Sequence, residues 1–424
     1  MESSTFSIDA VSALGGPEWL RRCRAEAWGR FDAAPLPTEA EEVWRYSRIN
    51  QLDLNSFVPT TAADATADVL AEEATVLLTA VGRRGGLLVV RNGVVVSAEL
   101  DTSAADQGVV LASLAGAVDG EQLLGSVASP VDSFVDLASA LLADGAALVV
   151  PPGVVLADPI VVLQIVDAPG ASVFPRLVVR MGEGAQATVV EHLSSPEGQS
   201  TFVDSVVELD VADAARLAYL GIQQFGGDTW QVGYQASRVG RDAGLESSVV
   251  ALGGGYARLR VDTRLAGPGG TSTLRAAYFG DGNQMHDFRT MQDHAAPKTT
   301  SDLLFKGAVQ DSSDAVYTGL IRVRPGAGGT NAFQTNRNLV LSDGANAYSV
   351  PNLEIEENDV RCSHATAVGP IDEDQRYYLE SRGVPPEMAD RLIVLGFFDE
   401  IVERSPVPGL RQPLRDALAR KLAR

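Results

Sequence analysis

Apolar positions in the first third of the chain recur at helical spacing. In "PEWLRRCRAEAWGRF", Trp19, Leu20, Cys23, Ala27 and Phe31 return every three or four residues, the stripe of an amphipathic helix. "LPTEAEEVWRYSRI" follows as a further helical segment, with Thr38 placed as its N-cap and Glu41 three residues on. "GLLVVRNGVVVSAEL" predicts a β-hairpin instead. Its two β-branched runs flank Asn92-Gly93, a pair suited to the positive φ angles of a type I′ turn. In "PVDSFVDLASALLADGA", Phe134, Leu137 and Leu141 share a helical face, with Gly145 near the stop. These elements predict a mostly helical domain over residues 1–145, with the hairpin near 86–100.

From 146 to 368 the pattern changes. Short apolar segments recur, each closed by Gly, Asp or Pro. In "ARLRVDTRLAG", Leu259, Val261, Thr263 and Leu265 alternate with Arg258, Arg260, Asp262 and Arg264. A period of two predicts a strand with one buried and one wet face. "LIRVRPG" repeats it, with Ile321 and Val323 against Arg322 and Arg324. No helix-length periodic segment interrupts this region. The fold class is therefore mainly β, and a sandwich, a barrel or a solenoid would fit. So many short strands in one long domain favour the stacked coils of a β-helix, although no strict sequence repeat is visible.

Helical spacing returns over 369–424. Asp372 caps "EDQRYYLESR" and Gly383 stops it. Pro385-Pro386 opens the next helix, where Met388, Leu392 and Leu395 combine with Ile393, Phe397 and Ile401 into a wide apolar face. That face exceeds what one surface helix needs, so it packs on a neighbour or a partner. The last helix carries Arg411, Arg415, Arg420, Lys421 and Arg424. The plain reading is a solvated face with cations favourably placed at a helix C-terminus; the other is a docking surface.

Composition narrows the classes. The 424 residues suffice for two or three domains, and 45% hydrophobic content suits a folded chain. With 34 basic and 55 acidic residues the net charge is −21, which argues against nucleic-acid binding and against an anionic membrane surface. Two cysteines, Cys23 and Cys362, cannot build a disulfide framework, so a reducing compartment is expected. The N-terminus has no basic and apolar leader pattern, and the most apolar stretch is broken by Pro151, Pro152, Gly153, Asp158 and Pro159. A cytoplasmic protein is the expectation.

Candidate chemistry is sparse. In "DVRCSHATAVGP", Cys362 and His364 are two residues apart, so on a strand they share a face at about 7 Å. Thiolate and imidazole are suitable ligands for zinc or iron, but a full site needs four groups. Three readings stand open: a structural pair, a Cys/His dyad, or half a site that another chain completes. Cys23 lies on an apolar stripe and reads as a core residue. His286, Asp287, Asp293 and His294 match no ligand motif, and His192 is isolated. "GGG" at 253–255 and "GPGG" at 267–270 read as turns. There is no nucleophile elbow, HExxH or CxxC.

Several stretches together resemble a known family. "DVRCSHATAVGPIDEDQRYYLESRGV" is similar to the C-terminal signature of the SufB/SufD family of iron–sulfur cluster assembly proteins. "LPTEAEEVWRYSRI", "QASRVGRDAGLES", "APKTTSDLLFKGAV" and "NAFQTNRNLVLSDGANAYSVPNLEIEENDVRCSH" resemble further stretches of it, from Leu36 to Phe398. Ala345 stands about where SufB-type members have a cysteine, and His364-Ala365-Thr366 replaces their His-Glu-Ala, so the resemblance is nearer the SufD type. Family members commonly read Ser-His-Gly-Ala-Thr; Ala365 in the Gly position predicts a backbone with no need of positive φ.

The resemblance implies a right-handed parallel β-helix core flanked by N-terminal and C-terminal helical domains. It implies pairing with a SufB-type subunit through that core, and docking of a SufC-type ABC ATPase on the C-terminal helices. Tyr378, Leu392, Phe397, Phe398 and Ile401 are the contact candidates there. A transient iron–sulfur cluster would form at the SufB–SufD interface, with His364 as this chain's ligand and Cys362 as a second candidate. The chain is then a scaffold and no enzyme, able to self-associate as a homodimer when isolated. The alternative from another class is a β-helix carbohydrate-active enzyme, which needs an acidic or basic cluster on one sheet.

Overall fold

In a computed structural model, described for residues 5–61, 70 and 72–423, the chain is mainly β. Parallel strands pass alternately between two long sheets, winding a solenoid of about eight turns with helices at both termini. Each apolar segment closed by Gly, Asp or Pro is one strand of a turn. Tyr256–Leu265, for example, pairs with Thr229–Val239 on one side and Met285–His294 on the other.

The turns repeat in space but not in sequence, because their lengths drift. Trp230 pairs with Tyr256, 26 residues on, whereas Asp314 pairs with Asn346, 32 residues on. Register is held by a column of left-handed residues at one corner. Gly184, Ala214, Asp242, Gly269, Lys298 and Gly329 have φ between 51° and 76°. Each of the first five donates its N–H to a carbonyl of the next turn at 2.8–3.2 Å, as Ala214 does to Arg241 O and Lys298 to Gly328 O. The left-handed geometry costs a non-glycine residue about 1–2 kcal/mol, which the stacked bonds offset.

Aliphatic side chains such as Leu148, Val162, Val179, Leu209 and Val239 fill the interior of the early turns. Later turns hold Tyr278, Phe288, Phe305 and Tyr317, with Gln292, Gln334, Asn336 and Asn338 buried among them. Both outer faces are largely covered. The N-terminal segment packs Trp44, Phe57 and Phe134 on the first sheet. Helices Glu72–Val81, Pro386–Val402 and Arg411–Lys421 cover the second.

This cover corrects the period-two reading of Tyr256–Leu265. Arg258, expected to be wet, is only 1% exposed. It donates to Asp287 Oδ2 (2.5 Å) and Val43 O (2.8 Å), and its guanidinium lies 3.7 Å from the Trp44 ring centre. Asp262 is buried as well, and Arg264 alone of the four stays exposed. In "LIRVRPG", Ile321 and Val323 are buried and Arg322 and Arg324 partly exposed, as the alternation predicts.

Helices Glu18–Ala33 and Ser133–Ala140 form where predicted, the second capped by Asp132 and ending at Ala140, short of Gly145. Cys23 is half-buried on the first of them. The "LPTEAEEVWRYSRI" segment is not a helix. Glu41 does accept the Thr38 N–H (3.0 Å), but only a 3-10 turn, Glu42–Trp44, follows, and Tyr46 has φ 65°. Tertiary contacts win: Trp44 is drawn into the core, and Arg258 and Arg289 take the carbonyls of Val43 and Arg45. The hairpin forms with Asn92 at φ 49° and Gly93 at φ 82°. Its first strand, Gly86–Arg91, pairs parallel with Ile160–Ile165, so it extends the second sheet.

Candidate functional site at the open end of the solenoid

The last turn consists of strands Asn346–Ile355 and Val360–Gly369. Among the described residues each is hydrogen-bonded on one side only, to Asp314–Val323 and Thr330–Val340 respectively. The end of the solenoid is therefore open, with two unpaired strand edges. Phe333, Tyr348, Ile355 and Val368 are exposed there.

Cys362 and His364 both lie on Val360–Gly369, opposite Ala332 and Gln334. Val360 and Cys362 pack on Ile321, Val323, Ala327 and Ala332, which sets the inner face of the strand. By alternation His364 lies on that face too, and it is exposed because no further turn covers it. Burial pushes the Cys362 thiol up, against a smaller opposing pull from the backbone hydrogen bond to Ala332. It is thus a protonated thiol in the free chain near neutral pH. Ala365 pairs regularly with Thr335 and has no positive φ, as its place in the Gly position predicts. Among the described residues no group of three or more His, Cys, Asp or Glu stands together as a metal centre. Two soft donors at an open end can ligate only jointly with groups brought from outside.

The other histidines and acids are structural. His286 and His294 point into the solenoid, bonded to Phe279 O (3.3 Å) and to Thr299 and Ser301 (2.7 and 2.9 Å). Asp287 and Asp293 face outwards into ion pairs with Arg258 and Arg289, and with Arg324. His192 is buried against Gln224 (3.0 Å). The GPGG stretch is a turn between strands, and GGG is an irregular connection between strands, not a regular turn.

The C-terminal candidates divide into two sets. Helix Glu373–Ser381 is capped by Asp372 and clamped to Pro386–Val402 by the Arg376 fork on Asp390 (2.6 and 2.5 Å). Tyr378 and Leu392 are exposed on this pair, and Tyr377 and Met388 stand out beside them. Phe398 and Ile401 correct the sequence reading. They are buried, with Phe398 stacked on Phe279 (6.1 Å) against the second sheet. Phe397 is half-buried under Lys306, whose Nζ donates to Phe397 O (2.9 Å) and pairs with Glu400 (2.6 Å). The apolar face was wide because it serves the solenoid first. Tyr377 shares the "RYYLES" run with Tyr378, and alternation of burial along this helix could not be read from so short a stripe.

Most of the basic end is likewise spoken for, while Arg420 stays exposed. Lys421 is buried with Asp281 and Gln284, Arg415 pairs with Asp399 and Glu403, and Arg411 with Glu403 (3.2 Å). Arg424 lies outside the described residues. No described helix is long and apolar enough to cross a membrane.

Comparison with known proteins agrees with this architecture. The family described as SUF system FeS cluster assembly, SufBD core domain, matches residues 164–397. An iron-sulfur cluster assembly SufBD family protein of Mycobacterium tuberculosis is 36% identical over 72% of this chain and 77% of its own length. Iron-sulfur cluster assembly protein SufD of Bacillus subtilis is 25% identical over 96% of this chain and 94% of its own. The SufD of Escherichia coli is 31% identical over 57% of each. A matching core of this extent, carried on the solenoid that ends in Cys362 and His364, means that the chain belongs to the SufBD family of iron–sulfur cluster assembly.

Proposed function

We propose that the chain is a SufD-type scaffold subunit with no catalysis of its own. It pairs with a SufB-type subunit across the open end of its solenoid and helps hold a nascent iron–sulfur cluster there. The observation that carries this reading is the position of Cys362 and His364 on the inner face of a last strand that is paired on one side only. An unpaired edge is a template for a second chain, and that chain would bring the missing ligands to the same place. His364 is the cluster ligand. Cys362, half-buried and protonated, is the weaker candidate. The cluster is cargo, handed on and not kept.

The exposed Tyr377, Tyr378, Met388 and Leu392 form the face for a SufC-type ABC ATPase. The helix pair that carries them follows directly on the strand of His364, so movement of the helices is delivered to the ligand strand. Two free thiols suit a reducing compartment such as the cytoplasm. Anaerobic cluster reconstitution on the co-expressed complex tests the ligand. His364→Ala is expected to lower cluster yield at least about tenfold and to change the absorption spectrum, since loss of even a residue that orients a metal ligand costs about that much elsewhere. Unchanged yield and spectrum would overturn it.

A further inference from the structure

The mouth of the solenoid has a polar floor. One rung below Cys362, His364 and Thr366, the same inner face carries Ala332, Gln334 and Asn336, paired with them one to one. Asn336 and Asn338 are satisfied. Tyr278 donates its hydroxyl to Asn338 Oδ1 (2.7 Å), Asn336 Nδ2 donates to Tyr278 (2.9 Å), and Asn338 Nδ2 donates to Asn336 Oδ1 (2.8 Å). Gln334 differs. It is 1% exposed, and neither its Nε2 nor its Oε1 has a hydrogen-bond partner among the described residues.

The room for this amide is built into the facing sheet. A Cβ at Gly319 would fall 2.3 Å from the Tyr317 hydroxyl oxygen and 2.5 Å from Gln334 Oε1. Any side chain there would push the carboxamide away. A buried amide with nothing to bond costs stability, and a fold that keeps space for one has a use for it. The residue in register with it on the open side is His364.

We propose that Gln334 is the positioning residue for His364. With the exposed His364 ring turned onto it, the carboxamide oxygen that stands unpartnered in the structure accepts one imidazole N–H, which fixes the tautomer and turns the other nitrogen's lone pair out of the mouth. Metal-binding histidines ordinarily donate their second ring N–H to a carbonyl or carboxylate in this way. The inference rests on the reading of His364 as a ligand.

Nuclear magnetic resonance of the imidazole nitrogens in the full, cluster-free chain tests it. The chain has only four histidines, and His364→Ala identifies the signal. Wild type is expected to show one protonated and one lone-pair nitrogen for His364, a single tautomer. Gln334→Leu keeps the volume and removes the acceptor for His364. It is expected to stay folded while the His364 nitrogens shift to tautomer-averaged positions. Gly319→Ala should give the same averaging with a lowered midpoint. Gln292 is equally buried with an equally unpartnered amide, but Ile321 and Leu353 separate it from the mouth. Gln292→Leu should leave His364 as in wild type. Averaged nitrogens in wild type, or a single tautomer kept in Gln334→Leu, would overturn the proposal. No cluster takes part, so this result is independent of whether His364→Ala impairs cluster assembly.

Discussion

Asp287 is buried on the outer face of the first sheet between Arg258 (2.5 Å) and Arg289 (2.8 Å). Removing one member of such a group strands the others without compensation. Asp287→Ala is expected to cost about 3–5 kcal/mol in a urea unfolding titration. The buried histidines set a pH limit. Burial lowers His294 to about 4, against a smaller opposing pull from Asp293, while the unfolded imidazole titrates near its ordinary value of 6.5. Its contribution is therefore complete above 6.5 and is lost as the pH falls towards 4. Between pH 7 and pH 5 this amounts to about 2 kcal/mol, which His294→Gln should abolish while keeping bonds to Thr299 and Ser301. His286, lowered to about 3 by burial and then by the Lys421 charge, acts in the same direction. Glu191, raised by burial, acts oppositely: its share is present below the unfolded carboxyl range and is lost as pH rises through the folded value. The comparison is of urea midpoints at the two pH values, with variant against wild type at each.

Helix Pro386–Val402 shows two faces that its sequence merges. Val394, Phe398, Ile401 and Val402 are buried against the solenoid, whereas Met388 and Leu392 are exposed. Phe398→Ala is expected to cost about 3–5 kcal/mol in thermal or urea unfolding. The double change Met388→Asp, Leu392→Asp should move stability by less than about 0.5 kcal/mol and abolish capture of the proposed SufC-type ATPase in a pull-down. An unfolded double variant would show that this face is structural as well. The helix termini were legible, because Asp372, Gly383 and Pro385-Pro386 act locally. So was the hairpin, since Asn92-Gly93 decides its turn without help from the rest of the chain. The segment after Thr38 was misread for the complementary reason. Its cap signal is real, but Trp44 is buried with Phe134 (5.4 Å) and its neighbours' carbonyls serve distant arginines.

At the scale of the molecule, the open end is the exposed edge of an otherwise continuous pair of sheets. Ile355 and Val368 are exposed on its two strands. On the proposed use of this edge for pairing, Ile355→Lys with Val368→Lys is expected to weaken any self-association of the isolated chain at least about tenfold by sedimentation equilibrium, with the monomer's unfolding midpoint unchanged. Equal association in the variant would move the contact elsewhere. Much of this architecture could be read beforehand. Alternation of apolar and polar residues depends on local backbone geometry, so strands, caps and the Asn92-Gly93 turn followed from the sequence alone, as did the placing of Cys362 and His364 on one face. The drifting turn lengths and the left-handed corner residues, which include Ala214 and Lys298, could not be read, because stacking between turns selects them. Only the tertiary structure decided which faces are covered, buried Arg258 and Phe398, and left the inner face of the last turn open over Gln334, because burial depends on what packs against a segment from far away in the chain.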